Sequence, residues 1–308
     1  MRFSAGVADG SADARRGGAD QLGFSCVMDG LRSGAERETS MGRQGAFGVL
    51  VAALGLVGVG IGSATAATCR DPAGFEKWRS DIRREALAQG ISQRAVDEGL
   101  SVVSYDPAII RRDHGQGVFR QSFEQFSARM INAGRVRGAQ ARLNQYAGLL
   151  RRLESQYGVP GPVLIAIWGL ETDFGAVRGS GFSTLRSVAT LAFDCRRTEK
   201  FTGELFSGLK ILDRGDLSLS EMHGGWAGEI GQTQFMLSSY YRFAIDGDGD
   251  GRADLVRSSA DVLASTANYM RGHGWQRGAG WEPGQPNFAA IREWNKSCLL
   301  YTSPSPRD

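Results

Sequence analysis

The strongest constraint on the fold is a segment that is apolar around nearly its whole circumference. Residues 162–173 begin with a proline and continue with apolar side chains at almost every position up to Glu171. A helix of this composition must be buried. Because no stretch alternates cleanly between polar and apolar residues, we predict a mainly α-helical domain over roughly residues 70–297.

Other helices are marked by capping residues and by apolar side chains three or four positions apart. Asp71-Pro72 is typical of a helix start, Gly90 of a helix end, and the apolar residues from Phe75 to Ala86 between them share one face. We predict further helices from Ser92 to about Leu100 and over residues 139–157, 198–213 and 259–272.

The composition excludes several classes of protein. The 308 residues carry 36 basic and 33 acidic side chains, a formal net charge of +3, which gives no reason to expect nucleic acid as the main partner. The four cysteines form no CxxC pair, and the three histidines form no HExxH pattern. A zinc site and histidine-based catalysis are therefore unsupported.

The N-terminal region has the parts of an export signal. Arg43 precedes an apolar, glycine-rich run over residues 48–62, and Ala64-Thr65-Ala66 follows it. We predict a signal peptide over residues 41–66, which begins at Met41 and is cleaved after Ala66. Residues 1–40 are interpreted as a non-native extension, with a disordered tail before a signal anchor as the alternative.

The residues at the two ends of the predicted mature protein bear on whether it carries a lipid and on whether its C-terminal tail is native. Cys69 follows Ala66-Ala67-Thr68, so we favour a soluble secreted protein over a lipoprotein. Residues 298–308 show no helical or strand period and contain two prolines. They are interpreted as a non-native tail on a C-terminally truncated domain.

Glu171 is the candidate catalytic residue. It lies at the end of the apolar helix, where burial should raise the pKa of its carboxyl group and allow it to donate a proton. The alternative is a structural glutamate paired with Arg178 or Arg186. Asp173 is two positions away and does not share a helix face with Glu171, so we interpret it as a structural acceptor.

A second informative segment extends from Gly224 to Tyr241. It combines closely spaced glycines with Gln232, Gln234 and several aromatic residues. Glycines permit close approach of a ligand to the backbone, amides can bind sugar hydroxyls, and aromatic rings can stack on pyranose faces. The alternative is a glycine-rich loop before a core helix.

Together these motifs resemble the lytic murein transglycosylase B family. Trp168-Gly169-Leu170-Glu171 is followed by Gly231-Gln232-Thr233-Gln234-Phe235-Met236, then by an aspartate-rich loop, Ala267-Asn268-Tyr269 and His273-Gly274-Trp275. The resemblance covers roughly residues 70–297, and several motifs occur in the family order. We interpret residues 67–297 as the catalytic domain.

The resemblance implies a lysozyme-like, mainly α-helical fold that binds peptidoglycan glycan strands. It implies cleavage of the β-1,4 bond between N-acetylmuramic acid and N-acetylglucosamine with formation of 1,6-anhydromuramoyl ends. Glu171 would be the single acid/base, and no organic cofactor is expected. The predicted substrate-binding residues are Gln234, Phe235, Tyr269, Trp294 and Asn295.

Two departures from the family pattern bear on this expectation. Gly225 stands where some members carry a serine that contacts the sugar, and a tyrosine expected a few residues beyond Asn295 is missing. Two alternatives to the lytic transglycosylase therefore stay open. One is a muramidase that uses water, and the other is a non-catalytic wall-binding or scaffold protein.

The aspartate-rich loop resembles the first half of an EF-hand. Carboxylates occupy its first, third and fifth positions, and Gly251 occupies the sixth, but the twelfth position holds Arg257 instead of glutamate. We predict a structural calcium ion; the alternative is a surface turn without metal. The predicted ligands are Asp246, Asp248, Asp250, the carbonyl of Arg252, and Asp261. A calcium sensor is disfavoured, since only one such loop is visible.

The remaining predictions concern the exported state. Cys69 and Cys195 are the two cysteines between the predicted signal peptide and the predicted tail. An oxidising compartment would favour a disulfide between them, and two unpaired thiols are the alternative. We expect a monomer, with proteins of wall synthesis as candidate partners.

Overall fold

The computed structural model describes residues 71–114, 128–177 and 181–294. Within these ranges the fold is mainly helical, as predicted. The α-helices are α1 Phe75–Ala88, α2 Gln93–Ser101, α3 Pro107–His114, α4 Ala133–Gln145, α5 Ala147–Tyr157, α6 Gly161–Thr172, α7 Thr184–Phe193, α8 Thr198–Arg214, α9 Leu237–Phe243, α10 Ser259–Gly272 and α11 Phe288–Trp294.

The β-structure described is one short antiparallel pair. Strand β1 is Phe182–Ser183 and strand β2 is His223–Gly224, with Phe182 opposite Gly224 and Ser183 opposite His223. Strand β1 leads directly into α7, whose N-cap is Ser183. The pair therefore ties the start of the glycine-rich segment to a buried helix.

Helix α1 follows the predicted amphipathic pattern, but its start differs by one turn. The side chain of Asp71 accepts a hydrogen bond from the Ala73 amide at 3.0 Å and caps a 3₁₀ turn, Pro72–Gly74, ahead of the α-helix. The face from Phe75 to Ala86 is buried, and the Phe75 ring packs edge-on against Phe193 with a centroid distance of 5.1 Å. The predicted core face is therefore correct.

The prediction of one helix over residues 139–157 is wrong in its bounds. Helix α4 begins earlier, at Ala133, and the chain bends at Tyr146 before α5. Hydrogen bonds continue across the bend, from the Tyr146 amide to the Arg142 carbonyl and from the Leu150 amide to the Tyr146 carbonyl, both at 2.9 Å. The Tyr146 ring packs against Trp168 at 5.7 Å, so tertiary packing accompanies the bend.

Helix α6 is the apolar segment identified in the sequence. It packs against α4, α5 and α10, and Leu164, Ile165 and Trp168 are each at most 2% exposed. Burial of such side chains contributes about 1.5–3 kcal/mol each to the free energy of unfolding. The helix therefore anchors the residues at its C-terminal end in the core.

Each of the described helices is too short or too polar to cross a membrane.

Candidate active site

Glu171 is the penultimate residue of α6, just before an unusual turn. Asp173, Phe174 and Gly175 have φ angles of 51°, 61° and 80°. Left-handed conformations are uncommon for residues other than glycine and persist only where the surroundings hold them. The Phe174 ring fits against Gly138 and Gly169, where an added Cβ would lie 2.8 Å and 2.7 Å from ring atoms. The turn thus fixes the end of the helix that carries Glu171.

The environment of Glu171 suits a proton donor. The side chain is partly exposed, and its Oε1 accepts a hydrogen bond from Trp294 Nε1 at 2.9 Å. Desolvation raises the pKa of the carboxyl group from 4.5 to about 7; the Trp294 bond opposes the shift and the charge of Glu229 adds to it. The carboxyl group can therefore be protonated or ionised near neutral pH.

The alternative ion pair for Glu171 receives no support from Arg186. The Nε of that arginine donates to the Val102 carbonyl at 3.2 Å, and Arg178 lies outside the described residues. Asp173 accepts a hydrogen bond from Arg135 Nε at 3.2 Å. This contact agrees with the structural role interpreted for Asp173 from its position in the sequence.

Three of the predicted substrate-binding residues form an aromatic cluster beside Glu171. The Phe235 and Tyr269 rings lie 5.6 Å apart, and their centroids are 5.4 Å and 5.0 Å from the Trp294 ring. The Tyr269 hydroxyl donates to the Glu293 carbonyl at 3.2 Å, and burial raises its pKa to about 12. Phe235 is only 3% exposed, so this ring mainly supports Trp294.

Gln234 lies in the glycine-rich segment, next to this cluster. Isolated bridges pair Gly224 with Ile230 and Ile230 with Phe235, which folds the segment back on itself. Gln234 has a φ of 52°, and its Nε2 donates to the Gly231 carbonyl at 2.8 Å. The side chain lines a small pocket together with His223 and Gln232, and neither Glu171 nor the aromatic cluster is part of its lining. The fifth predicted residue, Asn295, lies outside the described residues.

Glu229 is a site residue that sequence analysis missed. Its side chain is 7% exposed, and its Oε2 accepts a hydrogen bond from the Ala227 amide at 3.2 Å. A Cβ added to Gly225 would lie 2.3 Å from the same oxygen. Glu229 therefore occupies the space that a side chain at position 225 would need. The glycine at this position, noted above as a departure, was the one available signal.

The aspartate-rich loop brings together three of its predicted ligands. Oxygen atoms of Asp246, Asp248 and Asp261 all lie within 4.8 Å of one another. Asp261 is buried and accepts hydrogen bonds from the amides of Gly247 and Asp254, both at 2.7 Å. Burial, together with the charge of Asp248, raises the pKa of Asp261.

The other predicted carboxylate ligand, Asp250, is used differently. The carboxylate of Asp250 accepts a bond from the Arg252 amide at 2.9 Å, and Asp250 is outside the three-carboxylate group. The Arg252 guanidinium donates to the Asp216 carbonyl at 2.9 Å and to Glu221 at 3.3 Å. Among the ion pairs of the described residues, none involves Asp246, Asp248 or Asp261. Three oxygen donors without a cationic partner fit a hard divalent cation.

The predicted disulfide has one end within the described residues. Cys195 is disulfide-bonded and directly precedes the arginines that pair with Asp113. Cys69 lies outside the described ranges, so its pairing with Cys195 stays a prediction.

A mainly helical domain in which a desolvated carboxyl group accepts a hydrogen bond from an aromatic cluster is typical of glycan-binding proteins with acid/base chemistry. The transglycosylase SLT domain matches residues 74–284, more than half of the chain. The chain belongs to this family, and the resemblance found in the sequence is confirmed.

Three relatives extend this assignment. Over 172 residues the chain is 37% identical to the membrane-bound lytic murein transglycosylase B of Escherichia coli K12, covering 53% of this chain but only 47% of that protein. It thus spans about half the length of this curated relative. SltB3 from Pseudomonas aeruginosa, in complex with NAG-NAM-pentapeptide, has 31% identity and a TM-score of 0.68, covering 73% of this chain and 76% of that one. Escherichia coli Slt35, in complex with calcium, has 32% identity and a TM-score of 0.58, covering 66% and 64%.

Proposed function

We propose that this chain is a peptidoglycan lytic transglycosylase. It would cleave the β-1,4 bond between N-acetylmuramic acid and N-acetylglucosamine and leave 1,6-anhydromuramoyl ends. The observation that carries the proposal is the state of Glu171, a partly exposed carboxyl group whose pKa is raised to about 7. A group with a pKa near the working pH serves well as an acid and then as a base.

The reaction needs only this one carboxyl group. Protonated Glu171 gives its proton to the glycosidic oxygen, the bond to C1 of the muramoyl residue breaks, and the glucosamine leaves as an alcohol. The carboxylate then takes the proton of the muramoyl C6 hydroxyl while that oxygen bonds to C1. The acid is regenerated and no water is consumed. An intramolecular nucleophile also has a high effective concentration.

The hydrogen bond from Trp294 Nε1 to Glu171 supports this two-stage role. It stabilises the carboxylate produced by the first proton transfer, so the base is held ready for the second. Gln234, Tyr269 and Trp294 are proposed to contact the glycan, together with Asn295. Phe235 is kept in this set through its ring contact with Trp294.

The substrate class is supported by the relatives. The solved SltB3 complex contains a NAG-NAM-pentapeptide, and a second SltB3 structure, 40% identical to this chain, contains a NAG-anhNAM-pentapeptide. The anhydro sugar in that complex is the kind of product end that the proposed mechanism generates.

Glu229 is the observation that favours a second candidate, the muramidase that uses water. Such an enzyme requires another carboxylate to activate water, and the charge of Glu229 is within electrostatic range of Glu171. However, Glu229 is buried and bonded to the backbone of its own loop. These features favour the transglycosylase.

Mass spectrometry of muropeptides released from purified sacculi tests the proposal. Anhydromuramoyl ends are the expected products, and reducing ends would instead identify the muramidase. Binding to sacculi without any released product would identify the non-catalytic wall-binding alternative.

We also propose that the aspartate loop holds a structural calcium ion. Asp246, Asp248 and Asp261 would be its side-chain ligands, with Asp250 and the Arg252 carbonyl joining after a small loop adjustment. The ion would neutralise the clustered carboxylates and link the loop to α10. The calcium complex of Slt35 supports this choice of metal.

The proposal also includes export of the protein and formation of a disulfide. Residues 41–66 would direct export to the periplasm, where Cys69 and Cys195 would be oxidised to a disulfide. The EF-hand-like loop would act there in stability alone, and the exported domain would work as a monomer on glycan strands. Non-reducing mass mapping of the purified exported protein tests both the cleavage site and the disulfide.

A further inference from the structure

Gln232 is bonded to two separate parts of the active-site framework. On one side, its Oε1 accepts a hydrogen bond from Trp168 Nε1 at 2.9 Å, and its carbonyl accepts one from the Thr172 hydroxyl. On the other side, its amide donates to the Leu255 carbonyl at 2.8 Å and its Nε2 to the Val256 carbonyl at 3.2 Å. Four bonds thus converge on one residue.

The first pair of bonds holds the end of α6. Trp168 and Thr172 are 2% and 1% exposed, and they bracket Glu171 on the helix. The Thr172 hydroxyl also accepts a bond from the Gly175 amide at 3.0 Å. It therefore connects Gln232 to the left-handed turn that follows Glu171.

The second pair of bonds connects to the end of the aspartate loop. Leu255 and Val256 follow Asp254, whose amide donates to buried Asp261 at 2.7 Å. Leu255 is fully buried, so the carbonyl group that accepts from the Gln232 amide belongs to a core residue.

The turn after Glu171 is also shaped around the Gln232 side chain. A Cβ added to Gly175 would lie 2.3 Å from Gln232 Oε1, and the φ of Gly175 is +80°. The amide group therefore fills the inside of the turn. A side chain that only lined the pocket would not need this complementary glycine.

We propose that Gln232 is a positioning residue that holds the Glu171-bearing end of α6 in register with the aspartate loop. This inference rests on the proposed function. It implies that the two side-chain bonds of Gln232 set the position of the acid, while the two backbone bonds preserve the fold when the side chain is changed.

The test compares Gln232→Met with Gln156→Met in the whole protein. Methionine has similar length but neither donates nor accepts the two bonds. Gln156 is an exposed glutamine whose Nε2 bonds only to the Tyr157 hydroxyl at 3.1 Å. We expect Gln232→Met to lower kcat on soluble glycan strands about tenfold, with KM within twofold, and to shift the alkaline limb of the pH profile. Gln156→Met should match the unmodified protein.

A double-mutant cycle with Trp168→Phe tests whether Gln232 acts through its hydrogen bond with Trp168. Phenylalanine removes the indole donor, so the double variant should lose little more kcat than Gln232→Met alone. If Gln232→Met does not fold, Gln232→Glu keeps the acceptor for Trp168 and lacks the donor for Val256. We then expect an intermediate loss of kcat for Gln232→Glu, and unmodified kcat in that variant would overturn the inference.

Two outcomes with folded Gln232→Met also overturn the inference. An unchanged kcat in folded Gln232→Met would do so, as would a higher KM with unchanged kcat, which would identify a substrate contact instead. Failure of the proposed function is recognised separately, because the unmodified protein would then release no anhydromuramoyl ends.

Discussion

The active site and the aspartate loop use the same functional group in opposite ways. At Glu171 the surroundings remove water and offer one donor, the indole of Trp294, so the pKa rises to about 7. At Asp246 the side chain accepts bonds from the amides of Gly249, Asp250 and Gly251, and these donors lower its pKa. The difference teaches that the number of aligned donors, weighed against desolvation, decides whether a carboxyl group is suited to proton transfer or to cation binding.

At Asp261, desolvation and backbone hydrogen bonds act on the same carboxyl group. Burial raises its pKa despite two backbone bonds, and the like charge of Asp248 adds to the increase. A divalent cation would reverse this balance, since it favours the ionised form of each carboxyl group around it. A bound cation would thus change the protonation of the loop carboxyl groups, whereas the pKa of Glu171 is set by groups of the protein itself.

The largest effect should come from removing the acid. Glu171→Gln keeps the size of the side chain but cannot exchange a proton, so we expect turnover of sacculi to fall about 10³-fold or more. Binding to sacculi, measured by co-sedimentation, should stay within twofold. Glu199→Gln, on the exposed start of α8, is the matched control. Turnover by Glu171→Gln equal to that of the control would remove Glu171 from the mechanism.

The same substitution should change the pH dependence of stability. Because the folded state binds the Glu171 proton more tightly than the unfolded state, its contribution to stability is full below pH 4.5 and is lost as pH rises to about 7. Relative to the unmodified protein, Glu171→Gln should therefore become more stable across this window, by at most about 2–3 kcal/mol. Urea unfolding at pH 4.5 and pH 8 measures the difference. A pH-independent difference would show that the pKa of Glu171 is ordinary.

In the aspartate loop, Asp261→Asn should lower the free energy of unfolding more than Asp250→Asn. An asparagine presents only one oxygen to the amides of Gly247 and Asp254, so one buried donor loses its partner, at about 1–3 kcal/mol. Calcium should raise the Tm of the unmodified protein and of Asp250→Asn but not that of Asp261→Asn. Differential scanning calorimetry with calcium and with a chelator makes the comparison. Equal responses of the two variants would contradict the central role of Asp261.

The smallest effect should come from Glu229→Gln. Its charge helps to raise the pKa of Glu171, so neutralising it should move the alkaline limb of the kcat/KM profile to lower pH. Glu199→Gln again serves as the control. Products should keep their anhydro ends. Loss of all activity would instead favour Glu229 as the base of a muramidase.

Local features of the sequence predicted much of the framework. The apolar composition of α6 and the spacing in α1 follow from burial of one helix or one face, which depends only on nearby residues. Glu171 was found for the same reason, as a charge at the end of an apolar helix. The order of the later motifs then indicated the family.

Contacts between distant segments were beyond such reasoning. Trp294 was predicted to bind substrate, yet its indole bonds to Glu171 across 123 positions of the chain. Glu229 has no periodic signal, because it is buried by the folding of a short glycine-rich segment on itself. The bend at Tyr146 likewise accompanies contact with Trp168 from another helix. Only the assembled fold brings these groups together.

The hydrogen bond between Trp294 and Glu171 can form only late in the synthesis of the domain. Synthesis from the N-terminus produces Glu171 123 positions before Trp294, whose indole donates the hydrogen bond to its carboxyl group. Until α11 docks on Phe235 and Tyr269, a partly emerged chain holds an acid without its counterpart. If the proposed function is correct, the chain would therefore reach full activity only after nearly all of the domain has folded.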